Sequence, residues 1–302
     1  MQTYLGTWQI APSDGFWTGQ DLSDSEAVLS AAVKAGIKGF DTAGSYGKGQ
    51  AEQTLSKILR RFPDIPFFVD TKIMPSSKDP AQIIRSSISR IAPLKIDTLY
   101  LHWPASGFDN FSFLRKIDAL KKTGEIVKLG VCNVPLSMLE EFVSSGLRID
   151  RYQRPVSLLW TRELKETMDF CRANGIETAA YSPTGMGLLS GKYRKPEDLH
   201  DARKDIFCFR DPCRKAFLKL LDLVQQVAEN NGTECTDVAL SWTKAQNPDI
   251  VILGARNPVQ LKHNLESSLV LTPSELSALD EAATDLDAAG RSVCENIFSY
   301  NW

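Results

Sequence analysis

Residues 6–15, GTWQIAPSDG, follow the first apolar run of the chain (5-LGTW) and decide between two folds. An open, doubly wound sheet that binds a nucleotide usually carries a GxGxxG turn at this first strand–helix junction. This stretch has no such spacing. Seven further short apolar runs follow it: 38-KGFD, 66-PFFVDTK, 96-IDTLYLH, 127-VKLGVCN, 150-DRYQRPVSL, 176-IETAAYS and 249-DIVILGA. All successive intervals but the last match one strand–helix unit. The last is far longer and carries an insertion. Strict alternation of strand and helix means parallel strands, because each returning helix covers a sheet face. Without a nucleotide-binding glycine turn, eight such units are expected to close into a (β/α)8 TIM barrel. The expected layout is a single α/β domain over 1–302, with extra helices and long loops at its C-terminal face.

The segments between the runs carry helix signals. Ser23 with Glu26 reads as a capping box, and Gly36 as the stop of the helix that follows. Thr272 with Glu275, and Pro273 in the first turn, opens a C-terminal helix. Pro80 suits the first turn of AQIIRSSISRI, and Gly124 and Gly146 suit two helix ends. FLRKIDALKKTG (113–124) and ETMDFCRANG (166–175) repeat apolar residues at three- and four-residue spacing, as a helix packed on a sheet requires. Residues 213–230 and 235–246 read as two helices filling the long last interval. No Pro/Gly/Ser-rich linker divides the chain.

Composition narrows the function. The chain of 302 residues is 43% hydrophobic and 24% charged, with a net charge of −2, which places it among ordinary globular proteins. A general nucleic-acid binder would carry a basic excess. No run approaches the roughly 18 apolar residues of a membrane span. The N-terminus has no basic and apolar leader, so a cytoplasmic location is expected. The six cysteines form no CxxC pair and read as reduced thiols, Cys208 and Cys213 included. The three histidines lie outside metal-ligand spacing, so no metal is expected.

In such a barrel the active site sits at the C-terminal ends of the strands. The polar residues there are Asp41, Lys72, His102, Asn133, Gln153 and Tyr181 in successive runs, with Tyr46 in the glycine-rich loop DTAGSYGKG. A tyrosine beside an ammonium has its phenolate favoured, which predicts a Tyr46 pKa below about 10. Asp41 can hold Lys72 by a charge-assisted hydrogen bond, and His102 can contact the same substrate oxygen. Together these describe a proton donor over a carbonyl or an alcohol. Taken singly, each residue has an ordinary structural use as a helix cap or satisfied polar group. Four compatible types at one barrel mouth point to chemistry.

The stretches GFDTAGSYG, VDTK, LYLHWP, GVCNV, AAYSPTGMGLLSGKY and VILGARNPVQLKHNL, in this order, resemble the aldo-keto reductases. The resemblance runs from about Gly6 to about Asn264. It implies an oxidoreductase that prefers NADP(H), with NAD(H) as the other candidate, the cofactor lying extended across the barrel mouth. It makes Tyr46 the general acid of carbonyl reduction, assisted by Lys72, Asp41 and His102. The implied cofactor contacts are Thr7, Trp8 and Asp41, then Asn133 and Gln153 on the carboxamide and Tyr181 on the ring. Ser182, Thr184, Leu188 and Lys192 would line the pyrophosphate. Gly254, Arg256, Gln260 and Asn264 would meet the adenosine, with the helix near Pro258 offering N–H groups. Arg256 suits a 2′-phosphate.

This chain departs from the family pattern at Cys132, where Ser or Thr is usual, at Arg154 and Val156, and at Thr184. The N-terminal hairpin of the family reads as shortened or missing.

Trp8, Trp17 and Trp103, with Tyr46 and His102, are candidate walls for a substrate. The loop 193–212 and the tail SYNW are expected over the mouth. The expected partner is a small carbonyl or alcohol substrate, with no nucleic acid and no membrane, on a monomer or weak homo-oligomer. Two alternatives stand beside the reductase. One is a cofactor-binding regulatory subunit of the ion-channel accessory type; the other is an enzyme working mainly as an alcohol or sugar dehydrogenase.

Overall fold

The computed structural model of the protein describes residues 1–11, 16–75, 80–291 and 293. Eight parallel strands close into a barrel: β1 (Gln2–Gly6), β2 (Gly39–Asp41), β3 (Phe68–Ile73), β4 (Ile96–Leu101), β5 (Ile126–Cys132), β6 (Arg151–Pro155), β7 (Glu177–Tyr181) and β8 (Ile250–Leu253). β1 pairs with both β2 and β8, which completes the circle. The first strand starts at Gln2, ahead of the apolar run at Leu5, because its ladder with β8 already begins at the Gln2–Ile250 pair.

Helices α1 (Leu22–Lys34), α2 (Gln50–Leu59), α3 (Pro80–Ile91), α4 (Asn110–Lys122), α5 (Leu136–Ser144) and α6 (Leu164–Ala173) return the chain between strands. The long last interval holds α7 (Cys213–Asn230) and α8 (Cys235–Ala245), and α9 (Pro258–Glu266) and α10 (Pro273–Gly290) follow β8. The faces they bury have helical spacing. In α1 the buried residues are Ser25, Val28, Leu29, Ala32 and Val33, and in α7 they include Phe217, Leu220, Leu221 and Val224.

Gly36, Gly124 and Gly146 take positive φ after α1, α4 and α5, the conformation that ends a helix. Thr272 and Glu275 exchange hydrogen bonds across the first turn of α10. The start of α1 corrects the expected box. The cap is Asp21, which accepts from the Asp24 amide at 2.8 Å. Ser23 lies inside the first turn and donates to Asp21, while Glu26 pairs with Lys57 and Arg61. An ionised carboxylate two residues upstream is the stronger acceptor at the helix's positive end.

The barrel interior is filled by large side chains set against glycine. A Cβ on Gly39 would lie 2.1 Å from the Tyr4 ring, and one on Gly130 would lie 2.4 Å from the Tyr100 ring. Arg151, at the start of β6, is also inside. It pairs with Asp70 and with Glu177, each at 2.7 Å. Tyr100 donates to the same Asp70 carboxylate at 3.0 Å. Burial pushes Asp70 up to about 6, against the downward pull of Arg151. Among the described residues no helix is long and apolar enough to cross a membrane.

Candidate active site

The register brings the polar strand ends to one level. Asp41 pairs with Gly6 and with Asp70, Lys72 pairs with Tyr100, Cys132 pairs with Gln153, and Tyr181 pairs with Pro155 and Ile252. His102 and Asn133 stand one residue past β4 and β5, their amides donating to Ile73 and Gln153 of the neighbouring strands. Their side chains turn into the cleft.

Lys72 is the electrostatic centre. Its ammonium donates to Asp41 Oδ1 at 2.6 Å, to the Thr42 carbonyl at 2.9 Å and to Tyr46 Oη at 3.3 Å. Only 1% of its side chain is exposed, and 5% of that of Asp41. Burial lowers the lysine's pKa, but the Asp41 carboxylate, with smaller help from Tyr46 and Cys132, more than offsets it, and the net direction is up. Gln153 Nε2 donates to the second oxygen of Asp41 at 2.8 Å, so both carboxylate oxygens are held.

Tyr46 corrects the expected direction. Burial pushes its pKa up, to about 12, although Lys72 pulls it down. The reading from residue types counted the ammonium and left out desolvation, which is the larger effect on a phenol at the floor of a cleft. His102 moves down, well below the usual histidine value, because it is buried and faces Lys72. At neutral pH the trio is therefore a neutral phenol, an ammonium and a neutral imidazole. Tyr46 meets His102 edge to face at 5.7 Å, and the Ser45 hydroxyl lies 3.4 Å from His102 Nδ1.

Asn133 Nδ2 donates to the His102 carbonyl at 3.0 Å, and Asn133 Oδ1 accepts from Tyr181 at 2.6 Å. Asn133 has a φ of 60°, in the left-handed region that asparagine enters more readily than most residues. The thiol of Cys132 approaches Gln153 Oε1 at 3.7 Å, where a hydroxyl would make a shorter and stronger bond.

These groups stand at one end of a cleft of about 780 Å³. Trp8, Trp17, Trp103 and Phe16 form its aromatic walls; Trp8 stacks on Tyr46 at 6.0 Å and meets Trp17 edge-on at 5.4 Å. The cleft continues past Tyr181, Ser182, Thr184 and Lys192 to Gly254, Arg256, Gln260 and Asn264. Arg256 donates from Nε to Gln20 at 3.1 Å and from Nη2 to the Thr18 carbonyl at 2.7 Å. Asn257 caps α9 by accepting from the Gln260 amide.

A model described as the aldo/keto reductase family matches residues 4–284. The chain belongs to that family. It is 27% identical over 94% of its length, and 94% of the relative's, to an NADH-specific methylglyoxal reductase of Escherichia coli. It is 30% identical to an aldo-keto reductase of Strobilurus tenacellus, covering 95% of this chain and 89% of that one. Among solved structures it is similar to the glycerol dehydrogenase of Gluconobacter oxydans. The TM-score is 0.77 with 26% identity, over 94% of this chain and 91% of that one. The enzymes of this family are oxidoreductases that use nicotinamide cofactors.

Most of the residues singled out in this aldo-keto reductase share the one cleft. Leu188 and Thr7 are exceptions, since both side chains are fully buried outside the lining. Leu188 packs in the apolar layer under α7 and α10, as a leucine in a tight turn does when a hydrophobic layer lies beneath it. The loop 193–212 does reach the mouth: Tyr193 and Arg203 line the cleft. Arg203 is paired with Asp201 at 2.8 Å and sits between the rings of Trp17 and Tyr193, 5.0 and 5.3 Å from their centroids. Neither Arg203 nor the outer residues Glu234, Thr236 and His263 were singled out in the sequence. A charged residue in a loop already expected over the mouth was the one available sign of Arg203. Cys208 and Cys213 of this region are buried. The tail SYNW lies outside the described residues.

Proposed function

We propose that this aldo-keto reductase reduces a small aldehyde or ketone to the alcohol, with Tyr46 as general acid. The observation that carries this reading is the contact of Tyr46 Oη with the buried Lys72 ammonium at 3.3 Å, beside a neutral His102. A nicotinamide held beside Asn133, Gln153 and Tyr181 would supply the hydride. As charge develops on the carbonyl oxygen, Tyr46 would give it a proton. The phenolate left behind is formed next to the ammonium, whose charge is already in place and needs no reorganisation. The phenol is then restored by solvent. A neutral His102 can donate one N–H to the substrate oxygen without competing as an acid. In the reverse direction the phenolate is the base, so the same set serves alcohol oxidation.

The donor set fits a nicotinamide amide. Asn133 and Gln153 stand on neighbouring strand ends, and among the described residues Gln153 Oε1 meets only the Cys132 thiol, a weak partner, so it can accept from an amide N–H. We assign the dinucleotide as NADP(H) on Arg256, a cation at the far end of the cleft. A second reading, NAD(H), is favoured by the engagement of that guanidinium with Gln20 and Thr18 and by the name of the Escherichia coli relative.

The test is Tyr46→Phe. Turnover with aldehydes, followed by cofactor absorbance, is expected to fall about 10²- to 10⁴-fold, the usual worth of a positioned acid. Cofactor binding, followed by tryptophan fluorescence, should stay within about twofold of the parent, since the hydroxyl is aimed at substrate. Undiminished turnover would remove Tyr46 from the chemistry. Binding of dinucleotide by the parent chain, with no turnover of any aldehyde, ketone or alcohol, would favour a regulatory role.

A further inference from the structure

The loop that carries Tyr46 has an unusual backbone. Gly47, Lys48 and Gly49 follow it with φ of 54°, 56° and 94°, three consecutive left-handed residues. The two glycines take this region freely, but Lys48 is strained there and persists only where its surroundings determine it. Two backbone bonds tie the loop to the lysine strand, from the Thr42 amide to the Asp70 carbonyl at 2.9 Å and from the Gly44 amide to the Lys72 carbonyl at 3.0 Å. On its other side the loop rests on Arg90, on α3. A Cβ added to Gly49 would lie 2.6 Å from Arg90 Nε, and one added to Gly44 would lie 3.3 Å from Arg90 Nη2. The guanidinium therefore lies against the backbone on both sides of Tyr46, closely at Gly49 and less closely at Gly44. It is itself fixed, by Ser87 at 3.0 Å and by Glu52 Oε2 at 2.5 Å. Glu52 is fully buried, and its other oxygen accepts from Thr71 at 2.6 Å. Thr71 is the residue before Lys72.

We propose that the Glu52–Arg90 pair positions Tyr46, fixing its hydroxyl at hydrogen-bond reach of Lys72. One carboxylate joins the strand bearing the ammonium to the arginine that braces the loop bearing the phenol. Neither member of the pair lines the cleft, so both act through Tyr46 rather than on substrate. The inference rests on the proposed role of Tyr46. A guanidinium suits the task because its plane can lie along two backbone segments while its nitrogens hold a carboxylate and a hydroxyl.

The experiment compares Arg90→Lys, Arg90→Met and Glu52→Gln with the parent and with Tyr46→Phe, in both reaction directions. Each is also followed by thermal unfolding and far-ultraviolet circular dichroism. In Arg90→Met and Glu52→Gln, kcat is expected to fall about 10- to 100-fold, as for a reacting group displaced by about an ångström. KM for substrate and for cofactor should stay within about twofold, because ground-state binding groups are untouched. The pH at which alcohol oxidation turns on should move upward, since a phenol drawn away from Lys72 loses the charge that favours its phenolate. Arg90→Lys keeps the charge against Glu52 and is expected to restore the unfolding temperature but not kcat. If unfolding temperature and kcat recover together in Arg90→Lys while the pH profile never moves, the pair merely joins α2 to α3. If Tyr46→Phe is fully active, the reading of Tyr46 fails instead, and the two failures are told apart. Should Arg90→Met not fold, Arg90→Lys and Glu52→Gln, which keep volume and polarity, decide the matter.

Discussion

Replacing Lys72 by methionine separates what the buried ammonium does for the fold from what it does for the chemistry. The lysine is 1% exposed and Asp41 5%, and their 2.6 Å contact is sealed from water. Removing the cation leaves a buried carboxylate with Gln153 Nε2 as its remaining side-chain donor. Breaking one side of a buried pair costs about 3–5 kcal/mol, because the surviving charge is uncompensated. For a chain of this size, about 2 °C is lost per kcal/mol, so the melting temperature should drop by about 6–10 °C. Adding Asp41→Asn removes the stranded charge and leaves an amide that Gln153 can still meet. The double variant is therefore expected to regain most of that loss. Turnover should behave differently: the phenolate forming on Tyr46 has no counter-charge in either variant, and kcat stays about 10²-fold or more below the parent. The assay is calorimetry paired with steady-state aldehyde reduction. A double variant that recovers activity along with stability would refute the electrostatic role. A single variant as stable as the parent would refute the buried-charge reasoning.

Three other outcomes follow from the same geometry. With Tyr46 pushed up to about 12, its proton is retained at neutral pH. Reduction should therefore show no limb from Tyr46 across the neutral range, while alcohol oxidation should rise about tenfold per pH unit towards that value. A histidine limb near pH 6–7 in reduction would contradict the depressed His102. Arg256→Ala should weaken NADPH more than NADH if its guanidinium reads a 2′-phosphate, as titration of tryptophan fluorescence can measure; equal losses would assign it to holding Thr18 and Gln20. Gly130→Ala places a methyl 2.4 Å from a Tyr100 ring that is fixed by its bond to Asp70, and should cost about 1–3 kcal/mol in denaturant unfolding. An unchanged midpoint would mean that the barrel interior yields more readily than its packing implies.

The barrel was legible because its signals are local. Each strand is a short apolar run, and each active-site candidate sits at the end of one, so a one-dimensional spacing places Asp41, Lys72, His102, Asn133, Gln153 and Tyr181 at one mouth. Helix ends marked by glycine, and the Thr272–Glu275 box, were readable for the same reason. What escaped the reading depends on residues far apart in the chain. The pKa of Tyr46 is set by how deeply Trp8 and the loop bury it, which residue types do not reveal. The partnership of Arg203 with Trp17 and Tyr193 joins two loops on different sides of the mouth. Glu52 and Arg90 lie on successive helices, and nothing in the pattern of either helix marks them. At α1 the competing signals were adjacent, and Asp21 prevailed over Ser23 by charge.

The two upward shifts at the centre of the site also explain each other. An ammonium this close to a phenol would be a rival acid if its proton were loosely held. Asp41 and the Thr42 carbonyl prevent that by satisfying Lys72 from below. The lysine thus contributes charge and withholds its proton. Burial then keeps the phenol protonated until a partner with greater proton demand arrives, such as an oxygen gaining charge as hydride reaches its carbon. In the proposed reduction His102 is neutral and Lys72 is bound, so Tyr46 would be the group whose proton both can leave and is favoured to leave at that moment. The raised pKa and the nearby cation are therefore complementary. The first sets the resting state, and the second lowers the energy of the state formed in the reaction.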